Sequence, residues 1–281
     1  MILKSIVAGY FKLDGGAMFG VVPKRIWSKL MTSDDNNLCT WTMRCLYIEQ
    51  NDRKILIDTG LGNKQDAKFY NYYEPSGDAL IQEALQRQGI EADAITDVIL
   101  THLHFDHVGG ALIKDKELIL PTFRKAIYYV HEDQWENALI PNAREKASYL
   151  KENIMPLEPY LHFLKDIDGN ILPGIDFIQV DGHSKGMILP LVTYQDNKKL
   201  LYTADLFPSV HHIPLPYIMS YDMLPLITLQ EKIKVLDRCI HENIALYFEH
   251  DAYHEMATVG RSEPGKYFIH STMSLDAWIN E

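Results

Sequence analysis

The chain has 281 residues, 47% of them hydrophobic, with 38 acidic against 27 basic side chains and a formal net charge of −11. That size and apolar content allow a sizeable core and favour one domain over residues 1–281. The acidic balance speaks against general binding of nucleic acid or anionic membranes.

The opening stretch MILKSIVAGYFKLDGGAMFG has a short apolar run soon broken by Lys12 and Asp14. It lacks the basic start and longer apolar core of a signal peptide, and no run approaches the roughly 18 apolar residues of a membrane span. Gly15 and Gly16 read as a flexible turn. CLYIEQNDRKILIDTG predicts two strands joined by a turn at Asn51–Asp52, with Asp58 at the tip of the second. Cys39, Cys45 and Cys239 are odd in number and lack metal-knuckle spacing, so reduced thiols in a cytoplasmic protein are expected.

GDALIQEALQRQGI has helical spacing, with Asp78 as N-cap and Gly89 as terminator. DVILTHLHFDH then predicts a short buried strand, Val98 to Leu100, that delivers histidines at its end, with a helix beginning near Val108. From Trp135 to about Ile167 the chain is helical in parts and punctuated by Pro141, Pro156 and Pro159. Its place between the histidine-bearing segments reads as a helical cap insertion, with an ordinary surface insertion as the other reading. It carries no candidate ligand. Its Leu139, Ile140, Ile154, Leu157 and Tyr160 offer apolar surface to a substrate.

Three later strands end in polar residues: FIQVDGHS at His183, KKLLYTADLF at Asp205 and ALYFEHD at His250. Between Leu226 and Asn243 an amphipathic helix is expected, with Leu226, Leu229, Ile233, Leu236 and Ile240 on one stripe. Strands and helices alternate throughout, so the class is α/β.

The segment LTHLHFDHVGG puts His102, His104, Asp106 and His107 within six positions. Clustered imidazoles are costly to desolvate without partners, and a surface has no need of them. A metal site is the reading. Alternation along extended chain turns His102 and His104 the same way, towards one ion, and Asp106 with His107 faces a second. His183 completes three histidines on the first, His250 joins the second, and Asp205 bridges both. Asp58 is expected to accept an N–H from a ligand histidine; capping of its own DTGLG turn is the alternative. Imidazole and carboxylate donors suit two divalent ions, zinc first, with manganese or iron also compatible.

These residues carry a resemblance. THLHFDHVGG with LIDTG, DGHS, TADL and FEHD is similar to the metallo-β-lactamase superfamily across nearly the whole chain. The resemblance implies a four-layer αββα sandwich, with the metals at one edge between two sheets, and hydrolysis by a bridging hydroxide, with Asp106 and Asp205 in catalytic positions. LDGGAMFGVVPKRIW and YDMLPL resemble quorum-quenching N-acyl-homoserine lactonases, whose N-terminal segment lies near the active site or a homodimer contact. Two departures stand out: GHSKGM replaces the usual continuation after the third histidine, and DLFPSVHH has Phe207 and Pro208 where some lactonases have a carbonyl-polarising tyrosine. His211, His212 or Tyr221 are the candidate substitutes. Phe19, Phe207 and Trp27 are candidates for an apolar pocket wall, with core packing as the equal alternative.

The expected function is a dinuclear metal-dependent hydrolase that opens a small-molecule lactone or carboxylic ester. Phosphotriester or phosphodiester hydrolysis, a glyoxalase II-like thioesterase and a non-catalytic metal-binding protein are the alternatives.

Overall fold

Fourteen strands and nine helices form among the described residues, which in this computed structural model are 1–77, 80–165, 171–195, 198–263 and 265–281. The chain divides into two compact units, Met1–Phe11 with Thr42–Lys165 and Lys12–Trp41 with Asp166–Glu281.

The first unit is built on β1 (Ile2–Asp14), β2 (Leu38–Gln50), β3 (Arg53–Ile57), β4 (Asp97–Ile99), β7 (Ile127–His131) and β8 (Leu161–Leu164), in that order across one sheet; β5 (Leu112–Asp115) and β6 (Leu118–Pro121) make a separate hairpin. The β2–β3 turn falls at Asn51–Asp52 as expected, with Gln50 paired to Arg53 and Asn51 at φ 53°. From β3 to β8 the pairings are parallel, so each return needs a crossover. One crossover contains the helix Ile81–Arg87, followed by Gly89 at φ 73°. Asp78, its expected N-cap, lies outside the described residues.

Only part of the 135–167 segment is helical. Glu132–Leu139 and Lys151–Ile154 are short helices, but Leu161–Leu164 is the edge strand of the sheet; residues 166 and 167 lie outside the described residues. Ile154 and Leu157 are core, whereas Leu139, Ile140 and Tyr160 are exposed.

The second unit carries β9 (Ile175–Val180), β10 (Met187–Thr193), β11 (Lys199–Tyr202), β12 (Ile244–Tyr247), β13 (Met256–Arg261) and β14 (Tyr267–Met273), consecutive in one sheet. Only β11 and β12 run parallel, Tyr202 opposite Tyr247. Gly15 and Gly16 open a helix, Gly15–Phe19, capped by Asp14 through Ala17 N at 2.8 Å. This corrects the expected turn. A Cβ on Gly15 would press into the Trp27 ring, so the glycine serves close approach. Phe19 is fully buried between Trp27 and His212, stacked at 5.6 and 5.0 Å.

The long helix runs Pro225–Glu242, but its buried face is Thr228, Lys232, Val235, Leu236 and Cys239. The expected stripe is rotated: Leu226 is 74% exposed. A lysine defeats the apolar pattern because its ammonium has partners inside. Lys232 Nζ donates to the Pro214 and Tyr217 carbonyls at 3.0 and 2.8 Å and lies 5.5 Å from the Phe207 ring centroid.

Burial pushes the Lys232 pKa down to about 7, with Asp222 pulling the other way. The unfolded chain keeps this proton to about pH 10. Folding therefore releases it between about pH 7 and 10, and stability from this group rises with pH through that window. Lys232→Met removes the slope. In urea unfolding the wild type is expected to gain on the variant between pH 7 and 9, by up to about 1 kcal/mol per pH unit. A gap that narrows as pH rises contradicts this.

Candidate metal centre

The candidate side chains stand at strand ends, and parallel pairing of β3 with β4 and of β11 with β12 sets neighbouring ones side by side. In the first unit β3 pairs Ile57 with Ile99 of β4. Asp58 follows one, and Thr101, His102 and His104 follow the other. The helix they lead into is Phe105–Val108, three residues earlier than expected, so Asp106 and His107 lie in a helical turn. The motif's glycines hold this loop against its neighbour: a Cβ on Gly109 or Gly110 would collide with the Leu61 or Thr59 carbonyl. Backbone bonds from Thr59 N to His107 O and from Gly110 N to Gly60 O, both 2.8 Å, fasten the two segments. Buried Lys64 donates to the Gly109 and Leu112 carbonyls.

His102, His104, Asp106 and His107 are all buried. His102 Nε2 and His104 Nδ1 face one another at 3.1 Å. His107 Nε2 lies 3.8 Å from Asp106 Oδ2. The outward nitrogens are held by protein. His107 Nδ1 lies 3.2 Å from Asp58 Oδ2, which also accepts from Thr101 Oγ1 at 2.6 Å, while Thr101 N donates to Asp58 Oδ1 at 2.8 Å. His102 Nδ1 is 3.1 Å from the same Thr101 hydroxyl. Asp58 is fully buried and sits at φ 57°, a strained conformation of order 1 kcal/mol for a non-glycine residue. Its expected contact with a motif histidine is present.

In the second unit, His183, Asp205 and His250 each fall three residues beyond a strand end, at Val180, Tyr202 and Tyr247. Because Tyr202 pairs with Tyr247 in parallel register, equal offsets bring Asp205 beside His250. The two loops are joined by His250 N to Pro208 O at 3.1 Å and Val210 N to Asp251 Oδ2 at 3.0 Å. Asp205 lies between two imidazoles: Oδ2 is 3.1 Å from His183 Nε2 and Oδ1 is 3.0 Å from His250 Nε2. His183 Nδ1 meets Asp222 Oδ1 at 2.8 Å. Burial opposes charge on His183, but Asp205 and Asp222 outweigh it and push its pKa up to about 10. Two carboxylates about one imidazole favour positive charge there, which a divalent cation satisfies as a proton does.

The donor chemistry fits metal in both units. Each presents buried imidazole nitrogens and carboxylate oxygens at close range, with the remote nitrogens of His107 and His183 at carboxylates, the usual support of a ligating histidine.

The candidate pocket residues divide. Phe19, Phe207 and His212 are buried, and both His212 nitrogens are engaged, with Ser209 Oγ at 2.8 Å and the Met18 carbonyl at 2.9 Å. They pack as core. His211 and Tyr221 are half-buried, and burial lowers the His211 pKa. An aromatic group adjoins the motif: Phe105 packs on Phe69 and Tyr73, ring centroids 5.2 and 4.6 Å apart. Burial, with Asp106 nearby, pushes the Tyr73 phenol up to about 12.

Sequence reasoning also missed Asp222 and Glu145. Asp222 sits in YDMLPL, where Tyr221 drew attention; an acid just ahead of a helix was the available signal. Glu145 belongs to the segment expected to hold no ligand, yet its Oε1 lies 3.1 Å from His104 Nε2. Its partner is 41 residues away, and nothing local marks it.

The model of the metallo-beta-lactamase superfamily matches residues 44–240. N-acyl homoserine lactonase AiiA of Bacillus thuringiensis subsp. kurstaki is 28% identical over 181 residues, 60% of this chain and 64% of its own length. The match thus spans less than two thirds of that relative. Among solved structures, a protein of Staphylococcus aureus described as a probable metal-dependent hydrolase superposes with a TM-score of 0.85 at 27% identity, over 97% of this chain and 98% of the other. AidC, described as a dizinc quorum-quenching lactonase, superposes at 0.77 with 22% identity, over 97% and 95%, a likeness of fold. With the family model covering most of the chain, this protein belongs to the metallo-beta-lactamase superfamily.

Proposed function

We propose that the protein is a dinuclear metal-dependent hydrolase that opens a lactone of the acyl-homoserine type, or a related carboxylic ester. The observation that carries this reading is the Asp205 carboxylate, each oxygen about 3 Å from a different buried imidazole, the arrangement a carboxylate shared by two ions requires. In this reading His102, His104 and His183 would hold the first ion, Asp106, His107 and His250 the second, and Asp205 would be shared by both. Zinc is the first choice of ion.

When bound, a pair of divalent cations supplies Lewis-acid polarisation of a carbonyl and brings the pKa of water towards neutrality. The chain's own contribution is positioning. Asp58 and Asp222 accept at Nδ1 of His107 and His183, the tautomer that turns the Nε2 lone pair of each towards a cation. Asp205 and Asp106 supply the negative charge that holds the cations, and Asp205 is the acceptor we assign for the proton of the attacking water. Phe69, Tyr73 and Phe105 offer an uncharged aromatic surface beside Asp106 to the acyl part of the substrate.

The four-layer αββα arrangement and a single catalytic domain are part of this reading. Among the described residues no helix is long and apolar enough to cross a membrane, and the three cysteines are buried and free, which supports action in the cytoplasm. The test is hydrolysis of an acyl lactone, a carboxylic ester, a thioester, a phosphotriester and a phosphodiester at matched metal content. Lactone turnover ahead of the rest is expected. A metal-replete protein inert to all five overturns the proposal.

A further inference from the structure

Glu145 is an odd occupant of its surroundings. It lies in a segment that reads as a surface insertion, yet the residue is 2% exposed. Its carboxylate is ringed by donors: Tyr149 Oη at 2.8 Å and His104 Nε2 at 3.1 Å on Oε1, Asn137 Nδ2 at 3.0 Å and Asn142 Nδ2 at 3.4 Å on Oε2. Asn142 Oδ1 also accepts from Glu145 N at 3.1 Å. Burying a carboxylate costs several kcal/mol unless its lone pairs are met; here three insertion residues meet them, leaving one oxygen to share with His104. The same segment grips the motif twice more. Tyr149 packs edge-on to the His104 ring with centroids 5.0 Å apart, and Gln134 Oε1, 2.8 Å from Tyr149 Oη, accepts from Leu103 N at 3.4 Å.

A loop that only shelters a substrate has no need of a buried anion at a motif histidine. The tautomer gives the reason. His104 Nδ1 is the nitrogen turned towards His102 Nε2, so as a donor to a shared cation it must carry its proton on Nε2. A carboxylate accepting that proton selects this form, orients the ring and makes Nδ1 a stronger donor. His107 and His183 are held the opposite way round, by Nδ1, from Asp58 and Asp222.

We infer that Glu145 is a positioning residue for the metal centre: the insertion braces His104 through it and is thereby part of the ion-binding apparatus. This rests on reading His104 as a metal ligand, and it gives a place at the metal centre to a segment expected to carry no ligand.

The experiment compares wild type, Glu145→Gln, Glu145→Asp and Tyr149→Phe, each loaded with cobalt(II), by visible spectrum and by the rate of metal release to a competing chelator. Melting of the metal-free proteins runs in parallel. Glu145→Gln keeps the shape but loses the charge, and is expected to release an ion roughly ten to a hundred times faster, with an altered cobalt spectrum. Glu145→Asp retains the charge but withdraws it by one methylene, and is expected to fall between Gln and wild type. Tyr149→Phe keeps the charge at His104 but removes one partner of the carboxylate, and is expected to change release and spectrum less than Glu145→Gln. Should the Gln variant not fold, the Asp variant carries the same comparison. Wild-type release and spectrum in Gln or Asp, with only the metal-free melt lowered, would make Glu145 a packing residue and overturn the inference. A wild type that takes up no cobalt overturns the metal reading itself.

Discussion

Asp205→Asn is expected to cut turnover on the best substrate by at least roughly a hundred-fold, about 3 kcal/mol of transition-state stabilisation, while leaving the fold intact. The reason lies in what the amide cannot do. Asp205 sets one oxygen 3.1 Å from His183 Nε2 and the other 3.0 Å from His250 Nε2, so a carboxylate turns a negatively charged oxygen to each side. Asparagine has nearly the same shape but no net charge, and one of its two positions becomes an N–H₂ donor. It offers a cation one lone-pair oxygen, never two. A cation shared between the two sides loses its common anion, and the proposed proton acceptor is lost with it. Structural damage should be small, because the loop is held by others: Thr203 Oγ1 lies 2.8 Å from the Phe207 carbonyl, and Thr203 N donates to the Tyr247 carbonyl at 3.0 Å. Steady-state kinetics with circular dichroism on the same samples makes the check. A folded variant with wild-type turnover removes Asp205 from the mechanism.

A long-chain acyl lactone should be turned over faster than a chromogenic phosphodiester by at least roughly ten-fold in kcat/KM at matched metal content, about 1.4 kcal/mol. A phosphodiester keeps its negative charge, and its recognition ordinarily recruits Arg or Lys beside the metals. The ligand segments THLHFDHVGG, DGHSKG, TADLF and FEHD hold one lysine, Lys185, and no arginine. The nearest buried lysine in the first unit, Lys64, is spent on the Gly109 and Leu112 carbonyls, and burial brings its pKa down to about 7. What adjoins Asp106 instead is Phe69, Tyr73 and Phe105, with the phenol neutral well past pH 8. Such a surface favours an uncharged substrate with an apolar tail. Equal or better rates on the phosphodiester would reverse this assignment, whereas slower turnover of a neutral phosphotriester is in keeping with it.

The strands that carry candidate ligands were legible because each is a short apolar run ending abruptly in polar residues. Asp58, His102, His183, Asp205 and His250 could be placed at strand ends on that ground alone. Partners reached across long sequence distances were not legible: Glu145 finds His104 over 41 residues and Asp222 finds His183 over 39. The helix Pro225–Glu242 was legible in extent but not in face, because periodicity treats Lys232 as a solvent residue while backbone carbonyls make it an inner one. Gly15 misled for a similar reason. Its role is to let a tryptophan ring approach, and no local pattern reports a ring twelve positions on. The aromatics Phe19, Phe207 and Trp27 fitted a pocket wall and a core equally well by composition, and burial decides for the core.

The central claim is that this chain binds two divalent ions, and the most direct measurement is metal content at saturation. The protein, stripped and reloaded with zinc and freed of excess, is analysed by native mass spectrometry alongside elemental analysis. The account predicts two ions per chain in the wild type and fewer than two in Asp205→Asn at the same free zinc. A folded, hydrolytically active wild type that saturates at a single ion would contradict it.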